Sequence, residues 1–109
     1  MEELVKGDVV VLLFPFLDLS SAKKRPAIVV AKLVGEDLIL AQITSVERTD
    51  KYAIALSNKD FKQGSLPQES IIRPNKLFTA DKSLISYKIG TLKENKVKEV
   101  ENTLINIFK

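Results

Sequence analysis

The 109-residue sequence contains no cysteine and no histidine. Without cysteine, the chain cannot form disulfides, thiolate metal sites or a catalytic thiol. Without histidine, every acid–base scheme that depends on an imidazole is excluded as well. A carboxylate-only magnesium or calcium site stays open, although no loop carries the alternating acidic ligands typical of such sites. We therefore expect no metal and no cofactor, and catalysis would have to use Arg, Lys, Ser, Thr, Asp, Glu or backbone amides.

Long apolar runs are also missing from the sequence. None approaches the roughly 18 residues that a membrane-spanning helix needs. Glu2 and Glu3 follow Met1, whereas a secretory signal begins with positive charge and a longer apolar core. We therefore expect a cytoplasmic protein.

The composition predicts one globular domain covering residues 1–109. Hydrophobic residues make up 45% of the chain and charged residues 28%, which is an ordinary globular balance. A core of this size is small, so pairing with a second copy would stabilise it, and we expect a homodimer. The net charge of +3 suits a nucleic-acid partner without requiring one.

Short apolar runs separated by polar turns predict a mainly β (α+β) fold. The predicted strands cover residues 9–14, 26–33, 38–43, 52–56, 70–73 and 86–92. Polar loops separate them, including residues 57–68, and Pro74 is expected to end the fifth strand. Thr79 would cap a helical turn over residues 79–85. Gly90 in the last strand indicates a bulge or a close approach of chains.

The C-terminal segment has a different periodicity. Val97, Val100, Leu104 and Ile107 recur at helical spacing. This pattern predicts an amphipathic helix of about 15 residues from Glu94 onward, with its apolar stripe docked on the sheet. Short strands and one final helix together indicate a strongly bent sheet or a small barrel.

Three cations, Lys23, Lys24 and Arg25, stand between a polar loop and a buried strand, and Pro26 follows them. The planar guanidinium of Arg25 can bind phosphate through two hydrogen bonds and stabilise developing charge. The alternative is a surface arginine that anchors the loop, since single charged side chains are usually solvated. The two lysines are either a solvated pair or an electrostatic funnel for a polyanion.

Thr44 and Ser45 follow the third predicted strand. Gly35 can take positive φ in the turn between the second and third strands, which predicts a hairpin. Arg25 and Thr44 lie at the open end of that hairpin, so pairing brings them near each other. The two hydroxyls either bond neighbouring amides in a turn or bind a phosphate beside Arg25.

Four further residues are candidates for contacts with a nucleic acid. Phe16 either packs on the core or offers a face on which a base stacks. Asp18 is the acid of the loop before Arg25, and Arg73 and Lys76 add positive charge further along the chain.

Eight short motifs occur in a specific order and spacing along nearly the whole chain. They are Gly7-Asp8-Val9-Val10, Phe14-Pro15-Phe16-Leu17-Asp18-Leu19-Ser20, Lys24-Arg25-Pro26-Ala27-Ile28-Val29, Gln42-Ile43-Thr44-Ser45, Ser70-Ile71-Ile72-Arg73, Lys76-Leu77, Thr79-Ala80-Asp81-Lys82-Ser83 and Ile89-Gly90-Thr91-Leu92. Together with the closing amphipathic helix, they resemble the MazF/PemK family of toxin endoribonucleases.

The resemblance implies an SH3-like β-barrel of five to seven strands that forms a homodimer. It also implies metal-independent cleavage of single-stranded RNA at short sequence motifs, and inhibition by a cognate antitoxin whose disordered segment fills the RNA groove. The catalytic Arg and Thr of the family fall on Arg25 and Thr44. The residues then expected to bind RNA are Lys23, Lys24, Ser45, Phe16, Asp18, Arg73 and Lys76.

The sequence departs from the family pattern in three places. The loop before Lys24-Arg25-Pro26 lacks the glycines common there. Asn75 and Phe78 stand near positions that hold an acid and an Arg in many members. An amide cannot serve as a general base, so Asp18 is the nearest candidate by sequence.

The composition fits a cleavage in which the 2′-hydroxyl of the RNA attacks its own phosphate, because the protein need only orient the attack and stabilise charge. Two alternatives stay open. One is a non-catalytic binding module on the same fold, in which Asn75 marks lost activity. The other is a poison of DNA gyrase like the related CcdB proteins, which would have no use for Arg25 and Thr44.

Overall fold

The computed structural model describes residues 3–14, 23–45 and 51–109 and contains one curled, seven-stranded antiparallel sheet with a C-terminal helix. The elements are β1 Asp8–Phe14, β2 Lys23–Lys32, β3 Asp37–Ser45, β4 Ile54–Leu56, β5 Phe61–Gly64, β6 Ser70–Asp81, β7 Ile85–Leu92 and α1 Glu94–Phe108. The strand order is β4-β6-β3-β2-β1-β7-β5. The predicted mainly β fold with a final helix is confirmed.

Both faces of the sheet carry an apolar core, which explains why β1 and β2 read as nearly continuous hydrophobic runs. Side chains alternate between the faces along each strand. The core under the helix contains Val9, Ile28, Ala41, Ile43, Ile54, Leu56, Phe61, Leu66, Ile72, Leu92 and Val100. The core on the other side contains Leu4, Val10, Leu12, Ala27, Val29, Leu38, Leu40, Ala80 and Ile85. We call these two sides the helix face and the far face.

Helix α1 has the predicted start and the predicted length of 15 residues. Val97, Val100 and Leu104 pack on the core of the helix face, so the apolar stripe is structural. The Lys96 ammonium donates to the carbonyl oxygen of Ala55 at 2.9 Å, which ties the helix to β4. No helix in the described part of the chain combines the length and apolar character needed to cross a membrane.

The prediction that Pro74 ends a strand is wrong, because β6 continues from Ser70 to Asp81. In the β3–β6 ladder Gln42 pairs with Arg73, whereas the preceding Ala41 pairs with Leu77. Residues 74–76 therefore bulge out of the ladder. A bulge tolerates proline, since no ladder hydrogen bond needs its missing N–H.

Other predicted boundaries also change. Strand β5 lies inside the predicted loop 57–68 and was missed because it is short and contains one large apolar residue, Phe61. Strand β2 begins at Lys23, β3 extends to Ser45, and β4 begins at Ile54, two residues later than predicted. The added residues are polar, so the apolar pattern alone did not place them in strands.

The predicted helical turn is shorter than expected and has a different cap. A 3-10 helix covers Lys82–Leu84, whereas Thr79 lies within β6. The Asp81 carboxylate accepts a hydrogen bond from the Ser83 backbone N–H at 2.8 Å. This bond lowers the pKa of Asp81 by favouring its ionised form.

A buried carboxylate fixes the start of β1. Asp8 is fully buried and accepts hydrogen bonds from the Val5 backbone N–H at 2.8 Å and from the Thr91 hydroxyl at 2.9 Å. The Lys88 ammonium lies 3.4 Å from the same carboxylate. These partners compensate the cost of burying the charge and join the N-terminal turn to β7.

Gly90 marks a close approach of two strands, as its position in the sequence predicted. A Cβ added at Gly90 would lie 2.2 Å from the carbonyl oxygen of Gln63, and one added at Gly64 would lie 2.2 Å from that of Ile89. Strand β5 therefore packs against β7 at a distance that only glycine permits.

We predict that Gly90→Ala destabilises the protein by about 2–3 kcal/mol, because the new methyl group must push β5 away from β7. Gly35→Ala is the matched control. Gly35 has φ +90° but no atom within 4 Å of an added Cβ, so its cost is backbone strain of about 1–2 kcal/mol. Urea unfolding measures both values. Equal losses for the two variants would contradict the close packing of β5.

Candidate functional site

The register of the β2–β3 ladder, continued two residues past its last pair, aligns Arg25 with Thr44. Ile28 pairs with Ala41 and Ala27 pairs with Gln42, which is the last recorded pair of the ladder. Both strands extend at least two residues further, so the same register sets Arg25 opposite Thr44. Directly opposite residues of an antiparallel pair point to the same face of the sheet. The proximity expected from the sequence is therefore supported by the register.

This alignment forms one row across four strands. Arg25 pairs with Leu12 of β1, and Thr44 pairs with Ile71 of β6. Leu12 belongs to the core of the far face, so the row lies on that side. Arg25 and Thr44 are both half-buried. Within the described ranges, neither side chain makes a hydrogen bond or an ion pair, so both groups can bind a ligand.

A second guanidinium lies in the neighbouring row. Arg73 is only 8% exposed and pairs across the sheet with Gln42, which itself pairs with Ala27. The Arg73 Nη1 donates to the Gln42 Oε1 at 3.2 Å. Gln42 lies two residues before Thr44 and therefore on the same face. The far face thus carries Arg25 and Arg73 on strands that β3 separates.

Because successive side chains of a strand point to opposite faces of the sheet, some predicted site residues do not face the same side as Arg25 and Thr44. Lys23 shares the face of Arg25, whereas Lys24 points to the helix face, where its Nζ lies 5.9 Å from the centroid of the Tyr87 ring. Ser45 pairs with Ser70 and lies on the face opposite Thr44. Lys24 and Ser45 therefore cannot hold the same phosphate oxygen as Arg25 and Thr44.

The remaining predicted residues are not part of the row. Lys76 is exposed in the bulge at residues 74–76, beside the exposed Asn75. Phe16 and Asp18 lie outside the described residues. Gln42 was not among the predicted site residues, although its position two residues before Thr44 in a strand would have revealed it.

The chemistry of the two rows favours an anionic ligand. Two guanidinium groups, a hydroxyl and an amide face the same side, and all of these groups can donate hydrogen bonds to phosphate oxygens. The described residues of both rows include no carboxylate, and no group of acidic side chains in the described ranges could hold a metal ion. The arrangement can thus bind and stabilise negative charge, but it contains no evident general base.

Comparisons with known proteins agree on one family. A family model described as PemK-like, MazF-like toxin of type II toxin–antitoxin system matches residues 5–108. A comparison with curated protein sequences gives no match.

Solved structures have the same fold. An endoribonuclease in complex with its cognate antitoxin, from a mycobacterial species, has a TM-score of 0.76 at 14% identity, over 97% of this chain and 95% of that one. MazF from Deinococcus radiodurans has a TM-score of 0.76 at 17% identity, over 99% and 98%. Toxin MazF-mt6 of Mycobacterium tuberculosis has a TM-score of 0.71 at 17% identity, over 93% and 95%. At these identities the likeness shows the fold alone.

The absence of native cysteine allows a direct test of the register. Directly opposite residues have Cα atoms about 4.5–5.5 Å apart, which is within the range of a disulfide. We predict that the double variant Arg25→Cys/Thr44→Cys closes an intramolecular disulfide under mild oxidation, detected by thiol alkylation and mass spectrometry.

Arg25→Cys/Ser45→Cys is the matched control for this prediction. Its two thiols point to opposite faces and are expected to stay reduced. Closure in the control but not in the test variant would indicate a register shifted by one residue and would separate Arg25 from Thr44.

Proposed function

The chain belongs to the PemK-like, MazF-like family of toxins from type II toxin–antitoxin systems, and we propose that it is an endoribonuclease that uses Arg25 and Thr44 to cleave single-stranded RNA. The assignment is supported by the register of the β2–β3 ladder, which ends at the pair Ala27–Gln42 and, continued by two residues, sets Arg25 opposite Thr44 on the far face. Two solved structures with the same fold, both from mycobacterial species, are endoribonucleases, which supports the same activity here.

The site contains the hydrogen-bond donors that this reaction needs to stabilise the charge developing on the phosphate. The 2′-hydroxyl oxygen of one nucleotide attacks the adjacent phosphorus, and the bond from phosphorus to the 5′-oxygen breaks. The products are a 2′,3′-cyclic phosphate and a free 5′-hydroxyl. Arg25 donates two hydrogen bonds to the non-bridging oxygens, where charge develops, and Thr44 donates a third.

The reaction also needs two proton transfers. The attacking 2′-hydroxyl must lose a proton, and the departing 5′-oxygen must gain one. The described residues around Arg25 supply no carboxylate for the first transfer. Asp18 is the nearest acid in the sequence and is our candidate to take the first proton, and the 5′-oxygen would take its proton from water. Asn75 can only donate or accept hydrogen bonds.

The remaining cations have a supporting role in this proposal. Lys23 is exposed on the face of Arg25 and would contact a phosphate beside the cut, whereas the buried Arg73 would attract the RNA through its charge. Lys76, Ser45 and the ring of Phe16 would contact RNA further from the cut.

We expect the cognate partner to be an antitoxin that covers the RNA site, acting on a homodimer in the cytoplasm. A mycobacterial endoribonuclease of this fold has been solved in complex with its cognate antitoxin.

A second candidate is a non-catalytic binding module on the same fold. It is favoured by Asn75, an exposed amide in the bulge of β6. The same geometry would then bind RNA or an antitoxin without cutting. A cleavage assay separates the two readings.

We predict that the purified protein cleaves a long single-stranded RNA in the presence of EDTA. Arg25→Ala should reduce the rate at least about 100-fold, because it removes the main donor to the developing charge. Thr44→Val keeps the shape and the β-branch but loses the hydroxyl, so we expect a smaller loss of about tenfold. Sequencing of the new 5′ ends measures the rate at each cut site.

Thr79→Val is the matched control for Thr44→Val, since Thr79 is exposed and pairs with Ile39 near the other end of the β3–β6 ladder, so it should change the rate little. Circular dichroism and gel filtration must show an unchanged fold for each variant. Cleavage at no site by the wild type would contradict the enzymatic function. Equal cleavage by the wild type and Arg25→Ala would contradict the assignment of the site.

A further inference from the structure

A tyrosine and a lysine form an exposed pair on the helix face, behind the row that contains Arg25. We propose that Tyr87 and Lys24 form a second contact for the RNA strand, in which the Tyr87 ring stacks on a base and the Lys24 ammonium binds an adjacent phosphate. This inference rests on the proposed function, because it extends the path of the same RNA beyond the cut site.

The strand register brings the pair together. Tyr87 of β7 pairs with Val11 of β1, and Leu13 of β1 pairs with Lys24 of β2. Val11 and Leu13 are two residues apart in one strand, so all four side chains lie on the same side of the sheet. The Lys24 Nζ lies 5.9 Å from the centroid of the Tyr87 ring, within the range of a cation–π contact.

Tyr87 and its neighbour Leu13 are exposed to solvent in the described part of the chain. Tyr87 is 52% exposed and Leu13 is 50% exposed, although both lie in strands of the central sheet. Strand β5 pairs with β7 only at residues 90–92, so in the described part of the chain it leaves the edge of β7 beside Tyr87 uncovered. An exposed aromatic ring, an aliphatic side chain and a cation therefore lie side by side on this surface.

The chemistry of the surface fits single-stranded RNA. A base can stack on an aromatic ring whatever its identity, and the phosphate that follows needs a cation beside that ring. Lys24 provides this cation and is also the chain neighbour of Arg25, which is proposed to hold the phosphate that is cut. An acidic peptide could use the charge, but one flat ring offers no groove for successive apolar side chains.

Side chains of β2 point alternately to the two faces of the sheet, and this determines how long an RNA must be to reach both Arg25 and the Tyr87–Lys24 pair. Lys24 and Arg25 point to opposite faces, so a strand held at Arg25 must pass the end of the sheet before a base reaches Tyr87. A long RNA can make both contacts, whereas a short RNA that ends next to the cut site can make only the first. Tyr87 should therefore affect long substrates selectively.

The test compares a long and a short synthetic RNA that contain the same cut site, mapped first on a natural single-stranded RNA. Tyr87→Ala should lower kcat/KM about tenfold on the long RNA through KM, with kcat unchanged, since one stacked base is lost. It should leave the short RNA unaffected. Tyr87→Phe keeps the ring and should behave as the wild type.

Tyr52→Ala is the matched control, because Tyr52 is the other tyrosine and is 43% exposed. It should not discriminate between the two RNAs. Lys24→Gln should reduce the salt dependence of binding to the long RNA by about one counterion, whereas Lys98→Gln on α1 should not.

A binding measurement that needs no cleavage completes the test. The chain has two tyrosines and no tryptophan, so Tyr52→Phe leaves Tyr87 as the only tyrosine. A long RNA with a 2′-deoxy nucleotide at the cut site should quench its fluorescence by stacking, and the short RNA should not.

The outcomes separate the two proposals. Equal losses on long and short RNA would make Tyr87 a structural residue and overturn this inference, as would no loss on either. Weakened binding of an antitoxin or of a second copy, with RNA binding unchanged, would assign the surface to a protein and overturn it too. Quenching by the long RNA without any cleavage would support this contact while contradicting the endoribonuclease function.

Discussion

The register between β2 and β3 is the constraint on which the proposed site depends. A shift of one residue would turn every side chain of one strand to the other face and separate Arg25 from Thr44. Hydrophobicity alone fixes this register weakly, because both faces of the sheet are apolar: Ile28 packs under the helix while Ala27 packs on the far side. The Gly35 turn does not set the register at the site by itself, because the ladder shifts by one residue at Val30. Lys32 pairs with Leu38 on the turn side of this bulge, and Val29 pairs with Leu40 on the site side.

The far face gains a second guanidinium through an irregularity in β6. The bulge at residues 74–76 lets Leu77 pair with Ala41 while Arg73 pairs with Gln42. It also accommodates Pro74 within a long central strand, which regular pairing would exclude. Because Arg73 is buried, its hydrogen bond to Gln42 helps offset the cost of desolvating the charge. A local departure from regular pairing thus gives the face its second cation.

Periodicity and turn chemistry were enough to predict much of the molecule. The three N-terminal strands, the Gly35 hairpin and α1 follow from apolar runs and helical spacing, and the hairpin already brought Arg25 near Thr44. The continuation of β6 past Pro74 could not be predicted from the sequence, because proline occurs both at the ends of strands and in bulges. Strand β5 was hidden because Phe61 is its only large apolar residue. The separation of Lys24 and Ser45 from Arg25 required the strand bounds, since alternation counts only inside strands.

The cooperation of Arg25 and Thr44 at one phosphate is the central claim, and a double-variant cycle on RNA cleavage tests it most directly. Arg25→Lys, Thr44→Val and the double variant are compared with the wild type at a single cut site. If both residues stabilise the same transition state, the double variant should lose little more activity than Arg25→Lys alone, because groups that act as a unit are not additive. Losses that multiply fully would contradict the account and assign the two residues to separate contacts.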